Sequence, residues 1–286
     1  MKKEKYYSIG EVSKICKLPI KTLRYYDEIK LLVPCLRKET SNYRYYTENQ
    51  LVTVFIIRQL RLMGLGLKDI KKTVEKNTAE ELGKNIQIKL TEIENEISTL
   101  QKIYTESQIF VKRIEEGENL LQSQKEGKNQ EYFAVENIPY SYLYGTRSVI
   151  KSYRNEDVNL DRWIAINEEA RKDNLEVCGP VFVTYYTEIC GQFLSTDCDI
   201  EFSIQVKPVE ERGAKIRKFG GFLAASAIHT GDYDEIFKTY IALKRWILEG
   251  GYTITGPATE KFIISPIDLN NKEEQVTKIL IPIKKK

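Results

Sequence analysis

From Ile86 to Ile114 one apolar side chain returns at every third or fourth position: Ile86, Leu90, Ile93, Ile97, Leu100, Tyr104, Val111 and Ile114, with Ser107 as the one polar interruption. Glutamate, lysine, glutamine, asparagine and threonine fill the positions between. Alternate steps of four and three place every apolar group on one narrow stripe of an α-helix, which is the pattern of a coiled-coil seam and not of a globular core helix. A helix over this stretch extends about 42 Å at ~1.5 Å per residue. Alone it buries nothing, so the stripe needs either a second copy of the chain or a dock on the chain's own C-terminal part. A homodimer is the first expectation. The chain then divides into a segment 1–76, a dimerisation helix with a linker over 77–128, and a segment 129–286, with Gly117 and the polar run QSQKEGKNQ read as linker.

Charge separates the ends. Residues 1–76 carry 17 Lys and Arg against 8 Asp and Glu, while the remainder carries 27 against 33. A basic quarter on an otherwise acidic chain suggests a local polyanion partner. No run approaches the roughly 18 uninterrupted apolar residues of a membrane span, and MKKEKYYSIGE has no apolar stretch behind its cations, so neither a membrane partner nor a secretory leader is expected. Five cysteines without a CxxC pair and a single histidine argue against a disulfide scaffold, a metal site or another cofactor. A reducing cytoplasm is the expected setting.

In the first segment Ser8 and Glu11 form a capping-box pair ahead of the stripe Ile9, Val12, Ile15. Pro19 breaks that helix and opens the next, through Tyr26, so two short helices meet in a helix-turn-helix. PCLRKETSNYRYYT then reads as a short β-ribbon, or wing. Thr47 caps a longer helix with Leu51, Val54, Phe55, Ile57, Leu60 and Leu62, and MGLGL separates it from a last helix, Lys68 to about Lys76. A helix entering the major groove offers short or planar polar groups to base edges, and cations or hydroxyls to phosphates. Lys21, Thr22, Arg24 and Tyr25 supply these from the second helix, Arg44 and Tyr45 from the wing, and Arg61 from the third helix. Tyr26 is expected to pack inward, and Leu31 and Leu32 to close the small core.

The third segment repeats itself. Gly179-Pro180 precedes VFVTYY and Gly256-Pro257 precedes ATEKFI; each is followed by a further β-rich run, DIEFSIQVKP or QVTKILIPIKK. Helical stretches NLDRWIAINEEARKD and YDEIFKTYIALKRWILEGG lie ahead, and ahead of those the strands YFAVENIPYSYLYGTR and GGFLAASAIHTG. Each half is thus β-α-β-β, and the expected fold class is α+β: a winged helix-turn-helix, a long coiled-coil helix and a duplicated β-α-β-β domain with a cleft near its pseudo-two-fold axis. His229 and Trp246 are expected to be structural.

YYSIGEVSKICKLPIKTLRYYDEIKLL, NYRYYTENQL and RLMGLGLKDIK resemble the DNA-binding half of MerR-type transcription regulators over residues 6 to about 76. The resemblance implies a homodimer on a pseudo-palindromic promoter whose overlong spacer is bent and untwisted when an effector binds, so that RNA polymerase engages both promoter elements. GPVFVTYY, HTGDYDEI, KRWILEGGY and GPATEKF are similar to the GyrI-like effector-binding domain, and the combination resembles the BmrR-like multidrug-responsive branch. That branch places a glutamate on the second Gly-Pro strand at the floor of an aromatic pocket for lipophilic cations; here it is Glu260. The chemistry stands without the resemblance, because a carboxylate among rings is relieved of its desolvation by a bulky cation, which aromatic faces also attract. Strand alternation puts Phe262 on the face of Glu260, and the repeat puts Val181, Val183 and Tyr185 on the equivalent face; Tyr144, Trp163 and Tyr233 are further candidate walls. Near Gln275 the branch tends to carry a pocket tyrosine that this chain lacks. Other functions fit the same residues: a GyrI-like module that hydrolyses its ligand, using Glu260 with Tyr233, or sequesters it, and a DNA-binding protein without an effector.

Overall fold

Ser8 heads the first helix through a closed capping box: its hydroxyl accepts from the Glu11 amide while the Glu11 carboxylate accepts from the Ser8 amide. This helix, α1 (Ile9–Cys16), ends at Lys17 in the left-handed conformation, and Pro19 leads into α2 (Ile20–Glu28). A second capping box, Thr47 with Gln50, starts α3 (Glu48–Leu62). Gly64, at φ +84°, then turns the chain toward α4 (Leu67–Lys76). Val12, Leu23, Tyr26, Leu31, Leu32 and Ile57 are buried in one core among these helices. The computed structural model describes residues 5–38, 42–125, 133–153, 160–194, 196–209 and 215–286. It separates into the units Met1–Gln101 and Lys102–Lys286.

The expected wing is present as β2 (Leu36–Lys38) antiparallel to β3 (Tyr43–Thr47); residues 39–41 of the wing lie outside the described residues. A third strand, β1 (Tyr6–Ser8), adds to the other edge of β3. Three residues are too short a run to show alternation, which is why β1 had no signature in the sequence.

The stripe forms one 47-residue helix, α5 (Ala79–Lys125), and its two ends behave differently. Ile86 packs on the N-terminal core, whereas Leu90, Ile97, Leu100 and Tyr104 are 46%, 49%, 57% and 65% exposed. Further on, Ile114, Leu120 and Leu121 pack on Ile263, Ile264 and Val276 of the C-terminal sheet. The two solutions open to the stripe are thus divided between its middle, left uncovered by the described residues, and its end, docked on its own chain. Gly117 corrects the sequence reading, since it lies inside the helix and not in a linker. A Cβ there would stand 2.5 Å from the Ile264 side chain, so glycine is what allows the close approach of helix and strand. Residues 126–130, the rest of the expected linker, fall outside the described residues.

In the C-terminal unit the first half is β5 (Ser141–Ile150), α6 (Leu160–Lys172), β6 (Val177–Tyr185) and β7 (Cys198–Val206). The second is β9 (Phe222–Thr230), α7 (Ile236–Glu249), β11 (Ala258–Ile264) and β12 (Val276–Lys285). Their strands form one antiparallel sheet in the order β4-β9-β12-β11-β6-β7-β5-β8, completed by β4 (Ala134–Ile138), β8 (Ile216–Phe219) and, against β12, β10 (Tyr252–Ile254). The run YFAVENIPYSYLYGTR, expected as one strand, is two. Pro139 offers no N–H, the ladder breaks there, and β4 crosses to pair with β9 of the other half. Gly220 and Gly221, at φ +99° and +78°, make the matching turn, and the Gly221 amide donates to the Ile138 carbonyl at 2.7 Å.

Candidate effector site and nucleic-acid face

The two halves of the sheet meet where β6 runs antiparallel to β11, and there Val183 stands opposite Glu260. The repeat that maps Gly179-Pro180 onto Gly256-Pro257 also maps Val183 onto Glu260, so these two residues lie on the local two-fold axis. Across the strands they belong to one row, Phe202, Val183, Glu260, Ile279, Ala227, on the face covered by α6 and α7. Every other member of that row is apolar. Duplication supplies the symmetric pair of positions, and Glu260 breaks that symmetry with a charge.

Glu260 is fully buried. The Tyr240 hydroxyl donates to its Oε1 at 2.9 Å, and Tyr185 donates to Oε2 at 3.3 Å. Tyr233 also donates to Oε2. The network extends from Tyr185 to Tyr233 at 3.1 Å and to Tyr153 at 3.5 Å. Burial raises the Glu260 carboxyl to about 7, although the three phenol donors pull the other way. Burial and the neighbouring carboxylate also push the phenols of Tyr185, Tyr233 and Tyr240 well above their ordinary value, which keeps them donors. Among the described residues no lysine, arginine or histidine offsets the charge of Glu260. Trp163 stands edge-on to Phe262 with ring centroids 4.5 Å apart, and Phe262 lies 5.7 Å from Tyr233. This is a cation-seeking arrangement: a carboxyl without a counter-ion, surrounded by rings.

Of the residues read from the sequence, Val183, Tyr185, Tyr233, Phe262 and Trp163 surround Glu260 or the ring stack that leads to it. Tyr144 belongs to the same apolar cluster, but its hydroxyl bonds Asp173 at 2.7 Å and Lys215 at 3.4 Å instead. Tyr240 and Tyr153 were missed. Tyr240 had a signal, since Ile236, Tyr240, Leu243 and Ile247 form the buried stripe of α7. Tyr153 had none. His229 has the structural place expected of it, with Nδ1 3.0 Å from Thr239 Oγ1 and Nε2 3.0 Å from the Asp232 carbonyl.

In the N-terminal unit, Lys21, Arg24 and Tyr25 are exposed on α2, Thr22 is half-buried and Tyr26 is buried. Asp27, on the same helix and buried, accepts from Arg37 at 2.7 and 2.8 Å and from Arg44 Nε at 2.6 Å. One carboxylate therefore pins both strands of the wing to the helix, and Arg44 spends part of its guanidinium on that role. Tyr45 is half-buried with its ring 5.6 Å from Tyr43. Arg61 donates to the Leu65 carbonyl at 2.8 Å, closing the turn after α3. Asp27 was not read as functional; within YYDE it has no spacing that sets it apart.

Residues 7–77 match the MerR HTH family of regulatory proteins, and residues 153–284 match the GyrI-like small molecule binding domain. The multidrug-efflux transporter 1 regulator of Bacillus subtilis (strain 168) is 49% identical over 70 residues, 24% of this chain and 25% of that protein. The multidrug-efflux transporter 2 regulator of the same strain is 35% identical over 102 residues, 36% of this chain and 37% of that one. The heavy metal-dependent transcription regulator 2 of Rhizobium meliloti (strain 1021) is 32% identical over 101 residues, covering 34% of this chain and 68% of its own length. The aligned part thus spans well under half of either Bacillus regulator.

Proposed function

The chain belongs to the MerR helix-turn-helix family of regulators, and from that premise we propose that it binds promoter DNA as a homodimer and responds to a lipophilic cation held at Glu260. The carrying observation is Glu260 itself: fully buried, ringed by Tyr185, Tyr233, Tyr240 and Phe262, and without a cationic partner among the described residues. A desolvated cation recovers there the Coulomb energy that the carboxylate lacks, and the rings add cation–π attraction of roughly 0.5–2 kcal/mol. The basic N-terminal segment supplies the phosphate contacts, Lys21 to Tyr25 the groove contacts, and the uncovered part of α5 the dimer seam. Effector binding then distorts the promoter spacer for RNA polymerase, at a deformation cost of about 1–6 kcal/mol that protein contacts offset.

Titration of the full chain with tetraphenylphosphonium, followed by tryptophan fluorescence, tests this reading. Glu260→Gln should lower the affinity by more than about tenfold, since it removes the only charge of the row. Unchanged affinity in that variant would reject Glu260 as the effector site. A hydrolytic use of Glu260 with Tyr233 makes the opposite prediction for an ester probe, namely steady product formation by mass spectrometry that disappears in Tyr233→Phe.

A further inference from the structure

Ser107 breaks the apolar stripe of α5, and no side-chain hydrogen bond among the described residues explains it. A leucine or isoleucine is what the spacing asks for at that point. The position coincides with a half-open groove of about 440 Å³ between α5, α6 and the sheet, with Ser107, itself exposed, in its wall. Two other small residues border it, and each has a local reason to be small. Gly179 makes room for Gln205, which a Cβ would meet at 2.3 Å, and the Ser265 hydroxyl donates to Asp268 at 2.6 Å. Ser107 alone leaves space that the pattern of its own helix would fill. A groove of this size lies within the range of ligand pockets, about 300–1,000 Å³.

The walls define the ligand. Phe110, Val181, Ile204 and Phe262 offer an apolar bed. Arg113 also borders the groove, but its guanidinium is bonded to both oxygens of Asp268 at 2.6 Å and to the Ile263 carbonyl, so that charge is satisfied. Arg171 is largely exposed and lies 3.6 Å from Glu168. Glu106 is the wall carboxylate that forms no ion pair among the described residues, and it is half-buried.

We propose that this groove is a second small-molecule site, separate from Glu260, for an amphipathic organic cation whose charge meets Glu106 and whose apolar body lies between Phe110, Val181 and Phe262. Because one wall is α5 itself, a ligand there touches the helix directly. Phe262 borders this groove and also belongs to the ring stack beside Glu260, so the two sites share one wall.

Calorimetric titration of the full chain with ethidium tests the proposal. The wild type should show two classes of site per chain. Ser107→Leu restores the stripe and fills the groove; it should raise the melting temperature and abolish one class, leaving the other intact. Glu106→Gln, a change at a half-buried helix position, should weaken that same class by about three- to tenfold. Glu260→Gln should act on the other class only. If neither Ser107→Leu nor Glu106→Gln alters any binding class, the second site does not exist, whatever Glu260→Gln does. If Glu260→Gln has no effect while Ser107→Leu removes a class, the reading of Glu260 fails and this one stands.

Discussion

At position 260 a buried carboxyl group, with no cation beside it among the described residues, keeps its proton to about pH 7, against an ordinary value of 4.5. Between those values the folded chain binds a proton that the unfolded chain has released, so this group's contribution to stability is full in acid and falls as pH rises to about 7. Beyond that it is flat, and the total loss reaches up to about 3 kcal/mol. Glu260→Gln should remove the fall: in urea unfolding it should gain on the wild type between about pH 5 and pH 8, and an equal pH slope in the two proteins would rule the effect out. Cation binding carries the opposite sign, because a cation needs the carboxylate and the proton competes with it. Below about pH 7 the affinity should rise close to tenfold per pH unit in the wild type and stay flat in Glu260→Gln. Asp27 is a different kind of buried carboxylate, with both wing arginines in place. Asp27→Asn should cost about 1–3 kcal/mol, less than a fully buried pair because Arg37 is 41% exposed, and should weaken binding to all DNA sequences alike. Glu260 was legible through the resemblance to the multidrug-responsive branch, and the repeat added Val183 and Tyr185, yet Tyr153 and Asp27 acquire their roles from folding alone. A tyrosine or aspartate outside a periodic stripe carries no mark of what will stand next to it.

At the scale of elements, β11 joins two roles along seven residues. Glu260 and Phe262 lie buried on the sheet face covered by α6 and α7, whereas the Ile263 carbonyl accepts from Arg113 of α5 at 2.6 Å and the Ile264 side chain meets Gly117. Arg113 completes the attachment with two bonds to Asp268, and the pair is 13% and 9% exposed. Arg113→Ala leaves Asp268 buried without its partner and should cost about 2–4 kcal/mol. Hydrogen exchange locates the effect: protection should fall in α5 around residues 110–125 and hold in α1 to α4. An equal loss throughout would mean that Arg113 supports global stability and not a local dock. Such docking was half legible. The stripe predicted a helix with one face to cover, but a period of 3.5 does not say which partner covers which turn. The duplicated β-α-β-β pattern was legible because each half repeats a Gly-Pro strand start and a helix of similar length. The crossing of β4 to the far half was not, since pairing partners are chosen across the sheet while alternation is a property of one strand.

For the whole molecule the open question is what meets the uncovered middle of α5. Leu90, Ile97, Leu100 and Tyr104 are about half exposed or more, and covering them gains roughly 1 kcal/mol each, on the order of 8 kcal/mol for a pair of helices. Association costs about 4–15 kcal/mol in lost freedom, so the seam alone lies close to balance and a single buried charge is enough to undo it. Leu100→Asp should therefore sediment as a monomer at micromolar concentration where the wild type sediments as a dimer, and its melting should lose dependence on protein concentration. DNA affinity reads the same change, because each copy carries one basic segment with 17 Lys and Arg against 8 Asp and Glu over residues 1–76. A dimer presents two such segments to one duplex, and its affinity falls with salt at a slope set by the number of phosphates it neutralises. Leu100→Asp should bring that slope to about half the wild-type value, whereas Arg24→Ala in an intact dimer should reduce it by about two, one phosphate for each copy. A wild type that sediments as a monomer and already shows the shallow slope would remove the seam from the account and leave DNA binding to a single copy.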